Sequence, residues 1–286
     1  DADVMSYPKP TGLLKYLVRA TTSRSDIVMD FFAGSGTTGH AVMAQNAADG
    51  GNRRYILVQL PEPLDPENKD QKVAADYCDK LGKPRNIAEL TKERLRRAAR
   101  KIREETEARI QEAEGKRAQG TLLADADDKS ILSSDSSILT PDIGFRVFKL
   151  DSTNIREWEP KREDLPRSLF ESIEHLKPDC SEADILYEVL LKLGLDLCVP
   201  IEKRTIAGKD VHAIGGGVLM ACLAETITAD EVETLGQGIV EWHKVLAPAG
   251  DTTCIFCDSA FADDVAKTNL AAILNQHGIA NVRSRC

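Results

Sequence analysis

Asp30-Phe31-Phe32-Ala33-Gly34-Ser35-Gly36-Thr37-Thr38-Gly39 is the stretch on which the fold turns. The apolar run that leads into it, residues 26–32 (DIVMDFF), has the length and composition of a buried strand, and residues 37–46 read as an alanine-rich helix. Glycines between the two let the backbone pass close to a ligand and leave the first helical amides pointing at its negative end. Gly50 and Gly51 stop the helix, and residues 54–60 (RYILVQL) form a second buried strand that ends at Pro61 and Pro63. The order strand, helix, strand predicts that the two strands are parallel.

Taken literally, Gly34, Gly36 and Gly39 fit the dinucleotide pattern G-x-G-x-x-G, which is a weak signal alone. Asp30, four residues before Gly34, points elsewhere, because nicotinamide enzymes usually keep that strand end apolar. A carboxylate there accepts from an ammonium group, such as that of the methionine part of S-adenosylmethionine, whose own carboxylate can meet Thr37 or the turn amides. Phe31 and Phe32 add flat rings that pack against an adenine or help close the pocket. A nicotinamide-dependent oxidoreductase remains the first alternative, and a non-enzymatic assembly module the second.

Working outward, residues 8–20 open with Pro8-Lys9-Pro10 and continue as a helix with Leu13, Leu14, Leu17 and Val18 on one side. Residues 70–81 and 86–114 are helical in pattern. Residues 115–141 lose periodicity to Ser, Asp and Gly and read as a flexible connection, after which residues 144–150 (GFRVFKL) alternate as a third strand. Beyond irregular chain to about residue 180, a new pattern sets in: helix 185–193, a strand pair within 211–224 around Gly215-Gly216-Gly217, helix 229–245, strand 252–257 and helix 263–276. The expected organisation is α/β throughout: a first domain over 1–155, a linker over 156–180 and a small α/β domain over 181–286.

With 286 residues and 42% hydrophobic content, the chain can bury two modest cores. A formal net charge of -9 argues against a surface that is all nucleic-acid footprint. The one dense basic stretch, residues 92–103 (KERLRRAARKIR), interleaves Leu95, Ala98, Ala99 and Ile102 at helical spacing and reads as an amphipathic helix with a solvated charged face, a phosphate-facing one being the alternative. Seven scattered cysteines, an odd number, suit a reducing cytoplasm, and no run approaches the apolar length of a membrane span.

Residues 30–37 resemble the D-P-F-x-G-S-G-T cofactor motif of amino-methyltransferases with permuted motif order, with Phe31 where relatives often carry Pro. Tyr7-Pro8-Lys9-Pro10, followed by Leu13-Leu14, is similar to the segment that precedes this strand in that family and lines the methionine end. Residues 56–62, 87–94, 145–154 and 258–269 together look like a type III restriction-modification methylation subunit. The resemblance implies part of a Rossmann-like, doubly wound S-adenosylmethionine-dependent methyltransferase sheet acting on N6 of adenine in double-stranded DNA. It also implies a second methylation subunit and a restriction subunit as partners, met through the last domain. Cofactor contacts are expected from Lys9, Pro10, Asp30, Phe31, Phe32, Ala33, Gly34, Ser35, Gly36, Thr37 and Thr38, with Gln59 or Glu62 holding the ribose. The family receives a flipped adenine in an Asp- or Asn-Pro-Pro-Tyr segment. No Pro-Pro pair occurs in this sequence, so the chain reads as truncated, with no catalytic residue of its own and no activity alone.

Other features read as structural. Cys254 and Cys257 have metal-pair spacing but lie in an apolar strand, and no metal site is expected. His40 reads as a partly exposed structural histidine, the triple glycine as a hairpin, and Trp158 and Trp242 as packing residues. Asp258, Lys267 and Asn269 read as structural or interfacial.

Overall fold

The computed structural model describes residues 4–5, 8–118, 141–155, 176–177 and 179–284, and the chain divides into two compact units, Asp1–Phe145 and Arg146–Cys286. In the first unit α1 (Thr11–Thr21), β1 (Ile27–Phe31), α2 (Thr37–Asp49), β2 (Arg54–Val58), α3 (Lys72–Lys80) and α4 (Ile87–Ala118) follow one another. β1 and β2 pair in parallel, from Ile27 opposite Arg54 to Phe31 opposite Val58, as the intervening helix requires. α2 ends at Gly50, whose φ of 65° lets its N–H turn back to the Asn46 carbonyl at 2.9 Å.

The pleat sorts the strand side chains into two sets. Tyr55 and Leu57 are half-buried against Met43 of α2 and Leu95, Ala98 and Ile102 of α4, the stripe read from the sequence. The alternate set, Ile27, Met29, Phe31, Ile56 and Val58, is 46–63% exposed. A parallel sheet is ordinarily covered on both faces, and among the described residues only one face of this one is covered. Arg53, 6% exposed, fixes the beginning of β2: it pairs with Asp49 at 3.0 Å, donates to Thr22 Oγ1 at 2.8 Å, and its carbonyl accepts from Asn46. A small cluster of Leu64, Ala74, Ala75, Cys78 and Leu90 seats α3 against the start of α4.

The second unit contains α5 (Glu182–Lys192), β3 (Ile201–Ile206), β4 (Lys209–Ile214), β5 (Leu219–Cys222), α6 (Ala229–Leu246), β6 (Thr253–Phe256), a short 3-10 turn (Asp258–Ala260), α7 (Asp264–Gln276) and β7 (Asn281–Ser284). Its strands form a mixed sheet in chain order, β3-β4-β5 antiparallel and β5-β6-β7 parallel. Gly215, Gly216 and Gly217 all have positive φ and carry the chain from β4 into β5. Trp242 packs in the core and stacks under Arg204 of β3, whose guanidinium carbon lies 4.9 Å from the ring centre. Gly236 and Gly238 are small because Ile273 of α7 and Ile206 of β3 press against α6 there. Cys254 and Cys222 are buried, which pushes their thiols up to about 12 and about 11.

Three expectations need correction. Residues 144–150 alternate but form no strand. Their pattern serves anchoring: Arg146 donates to the carbonyls of Leu197 and Val199 at 2.7 and 3.2 Å, and Phe148 meets Tyr187 edge-on. Consequently residues 146–155 join the second unit, and the break falls at 145/146 rather than at 155. β3 and β7 are strands that the apolar pattern misses, because β3 is an edge rich in charge and β7 is half-exposed. The basic helix, expected over 86 to about 114, spans Ile87–Ala118. Most of the expected flexible connection and linker, with Tyr7 and Trp158, lies outside the described residues.

Glu188 of α5 fastens this anchoring segment. Desolvation pushes its carboxyl up, but hydrogen bonds from Thr153, Lys192 and the Asn154 N–H outweigh that and hold it down at about 2. A depressed carboxyl stabilises the fold above its unfolded value of about 4.3. That contribution is lost as pH falls through that value towards about 2. The protection factor of the Asn154 amide, its exchange rate relative to an unstructured peptide at the same pH, is therefore expected to fall below about pH 4. In Glu188→Gln the same amide should be weakly protected at every pH, and an unaltered acid profile of protection in that variant would refute the assignment.

Candidate ligand site at the glycine turn

β1 ends at Phe31, and the chain must then reverse over β2 to start α2. It does so with both the Phe32 and Ala33 N–H groups on the Val58 carbonyl, at 3.0 and 3.1 Å. Phe32 takes a φ of 106°, a region that β-carbon sterics disfavour for any aromatic residue, and its ring is 76% exposed. Backbone strain that presents a bare ring is a recurrent mark of a functional site. Phe31 leans against it, with ring centres 6.3 Å apart, but sits with the uncovered strand face.

The glycines of the turn divide into two kinds. A side chain at Gly36 would meet Thr91 Cγ2 at 3.0 Å, and one at Gly39 would meet Leu95 at 2.9 Å and Leu57 at 3.0 Å. Those two are glycine because α4 fills the space. Only Gly34 opens outward, its nearest neighbour in that direction being the Phe32 carbonyl at 3.9 Å. The sequence pattern treats the three alike, whereas in space one faces outward and two face packed side chains.

Asp30 is half-buried at the end of β1 and accepts from Thr38 Oγ1 at 2.5 Å. Ser35 and Thr37 are buried, bonded to each other at 2.9 Å, and both receive the guanidinium of Arg94, Thr37 at 2.7 Å. Thr91 donates to the Gly34 carbonyl. Gln59 is engaged in closing the turn: its Oε1 accepts from the Gly34 N–H at 2.7 Å and its Nε2 donates to the Leu60 carbonyl at 3.1 Å. Glu62 is exposed, and no hydrogen bond of its carboxylate occurs among the described residues. Lys9 and Pro10 are exposed just ahead of α1, where the Pro10 carbonyl accepts the first helical N–H, from Leu14, at 3.3 Å.

His40 lies in α2 behind the turn. Burial first, and then the positive charges of Arg94 and Lys101, lower its pKa below the usual histidine value, and its Nδ1 is buried without a partner. Sequence reasoning overlooked Thr91 and Arg94 by assigning the basic stretch to a solvated face. The signal was present: Thr91, Arg94 and Ala98 are three and four residues apart, in line with the apolar stripe rather than opposite it.

Residues 4–60 match the DNA methylase family. The StyLTI type III restriction-modification Mod subunit of Salmonella typhimurium is 42% identical over 101 residues, which is 35% of this chain and 14% of that protein. The EcoPI type III Mod subunit of Escherichia phage P1 is 38% identical over 100 residues, again 35% of this chain and 14% of the relative. The type II methyltransferase M.KpnI of Klebsiella pneumoniae is 36% identical over 61 residues, 21% of this chain and 15% of the relative. The chain thus spans about one seventh of the length of these curated relatives, and the aligned part is narrower than the resemblance read from the motifs, which extends to residues 145–154 and 258–269.

The two kinds of glycine predict different losses. Gly36→Ala combines a φ of 75° with the contact to Thr91 and should cost about 2–3 kcal/mol, while Gly34→Ala meets only the left-handed backbone, about 1–2 kcal/mol. Hydrogen exchange of the α2 amides reads the first unit by itself. Equal losses would remove the distinction.

Proposed function

We propose that this chain is the S-adenosylmethionine-holding portion of a site-specific DNA methyltransferase that modifies N6 of adenine, in the manner of a type III restriction-modification system. The observation that carries the reading is the turn itself: a carboxylate, Asp30, beside an outward-facing Gly34 and a strained, bare Phe32, within the residues that match the DNA methylase family. The bound cofactor would supply the methyl group. Asp30 would accept from its ammonium, Phe32 would lie against the adenine, and Gly34 would give the backbone room to approach. Lys9 and Pro10 would border the methionine end. Of the two ribose candidates, Glu62 has the uncommitted group, since Gln59 is occupied in holding Gly34. An oxidoreductase gains no support from these relatives, and Asp30 would repel a pyrophosphate.

The uncovered face of β1 and β2 supports the further reading that this is one part of a larger doubly wound sheet. Ile27, Met29, Phe31, Ile56 and Val58 are a continuous apolar surface of the kind that helices cover in such folds. The wall that receives a flipped adenine would belong to that remaining part, because these 286 residues contain no Asp- or Asn-Pro-Pro-Tyr segment. The second unit is proposed to join a second methylation subunit or the restriction subunit, with Leu191, Val245 and Val265 as its exposed apolar contacts. No helix among the described residues is long and apolar enough to cross a membrane, and a cytoplasmic location fits this reading.

Thermal shift with S-adenosylhomocysteine and with NAD separates the enzyme classes. Stabilisation by the former alone is expected, with a dissociation constant weaker than micromolar, together with no transfer of tritiated methyl groups to duplex DNA. A response to NAD alone would overturn the methyltransferase reading, and methylated DNA would overturn the assignment of the chain as a partial site. In sedimentation at high micromolar concentration the chain should self-associate, and a monomer would argue against the dimerisation role.

A further inference from the structure

We propose that Arg94 and Asp30 read the two charged ends of one amino-acid group, Arg94 taking the carboxylate and Asp30 the ammonium. The proposal rests on the methyl-donor reading of the site and adds to it a recognition residue, Arg94, on a different helix.

Arg94 reaches from α4 to the start of α2 and of α1. Its Nη1 donates to Ser35 Oγ and Thr37 Oγ1, and its Nη2 to Thr11 Oγ1 at 3.3 Å. All three acceptors are neutral hydroxyls. Among the described residues no carboxylate pairs with this half-buried guanidinium, although burial lowers its pKa from the usual arginine value. The contrast with Arg53 is informative, because that arginine has Asp49 at 3.0 Å. A desolvated cation held only by hydroxyls is costly unless an anion completes it. A guanidinium carries five N–H groups in a rigid fork, and among the described residues the three bonds leave Nε–H and one Nη2–H for a partner. Such a pair is the geometry that grips a carboxylate in bidentate fashion. The unneutralised charge is also felt by His40, whose pKa it helps to depress.

The position of Asp30 defines what kind of anion fits. Asp30 accepts from Thr38, and Arg94 donates to Thr37, so consecutive residues in the first turn of α2 hold an acid and a base. No ion pair joins the two among the described residues. An α-amino acid carries its ammonium and carboxylate on one carbon and would offer one group to each of these two charges. A phosphate would suit Arg94 but be repelled by Asp30, so the arrangement selects a zwitterion over a nucleotide phosphate.

The test uses the full chain and NMR titration of the turn amides with three adenosine thioethers. They are S-adenosylhomocysteine, its analogue lacking only the carboxylate (the 3-aminopropyl thioether), and 5′-methylthioadenosine, which lacks both charges. The wild-type chain should bind S-adenosylhomocysteine about 10–100-fold more tightly than the aminopropyl analogue. Arg94→Gln should abolish that difference, and Arg94→Lys, which keeps the charge without the fork, should restore part of it. Equal affinity of the wild-type chain for the two ligands overturns the proposal without any variant that must fold. Equal weakening of all three ligands in a folded Arg94→Gln protein overturns it as well, by making Arg94 a clamp only. Failure of the wild-type chain to bind any of the three up to millimolar concentration would sink the methyl-donor reading itself, and the proposal with it.

Discussion

Leu95 and Thr91 of α4 occupy the volume that side chains at Gly36 and Gly39 would need, and this close approach of one helix to the beginning of another organises the first unit. With α4 pressed there, Thr91 can donate to the Gly34 carbonyl, and Arg94, one turn along, can reach Ser35 and Thr37. The turn is therefore held from behind by α4 and from the side by Gln59 and the Val58 carbonyl. A loop so closely determined can carry Phe32 in a disfavoured backbone region, because relaxing it would break several bonds at once. Preorganisation of this kind lets a short motif present an acid, an open glycine and a ring in fixed relation.

Charge is handled in two ways in the same unit. Arg53 is enclosed with its own acid and its own caps, and it stitches the ends of α1 and α2 to the start of β2. Arg94 is half-buried with hydroxyls and, among the described residues, no acid. The first arrangement is complete within the chain, and for the second the proposed complement is an anion supplied from outside. Buried charge left without its opposite is a cost to stability that a binding site can exploit.

The second unit has a different economy. Its sheet is enclosed in one large cluster that includes Trp242, Phe256, Met220 and Leu270, and its helices begin with capping boxes at Ser181 and Thr228. The first unit leaves an apolar sheet face bare, while the second buries β5 completely.

The sequence by itself determined the strand, turn, helix and strand of residues 27–58, their parallel pairing and the identity of Asp30, because glycine spacing and apolar runs are local and each element announces its own ends. It also determined most helices of the second unit, whose apolar residues recur at helical spacing. It did not determine the role of residues 144–150, since an alternating pattern is satisfied equally by a ladder and by anchoring onto α5. Edge strands β3 and β7 escaped because half-exposed strands carry mixed side chains. Which glycine faces outward, whether Gln59 is free, and where Arg94 points were decided only by tertiary structure. The glycine and Arg94 depend on α4 returning to the turn from more than fifty residues away along the chain, and Gln59 on the end of β2 meeting the turn, and no local pattern encodes what these elements will touch.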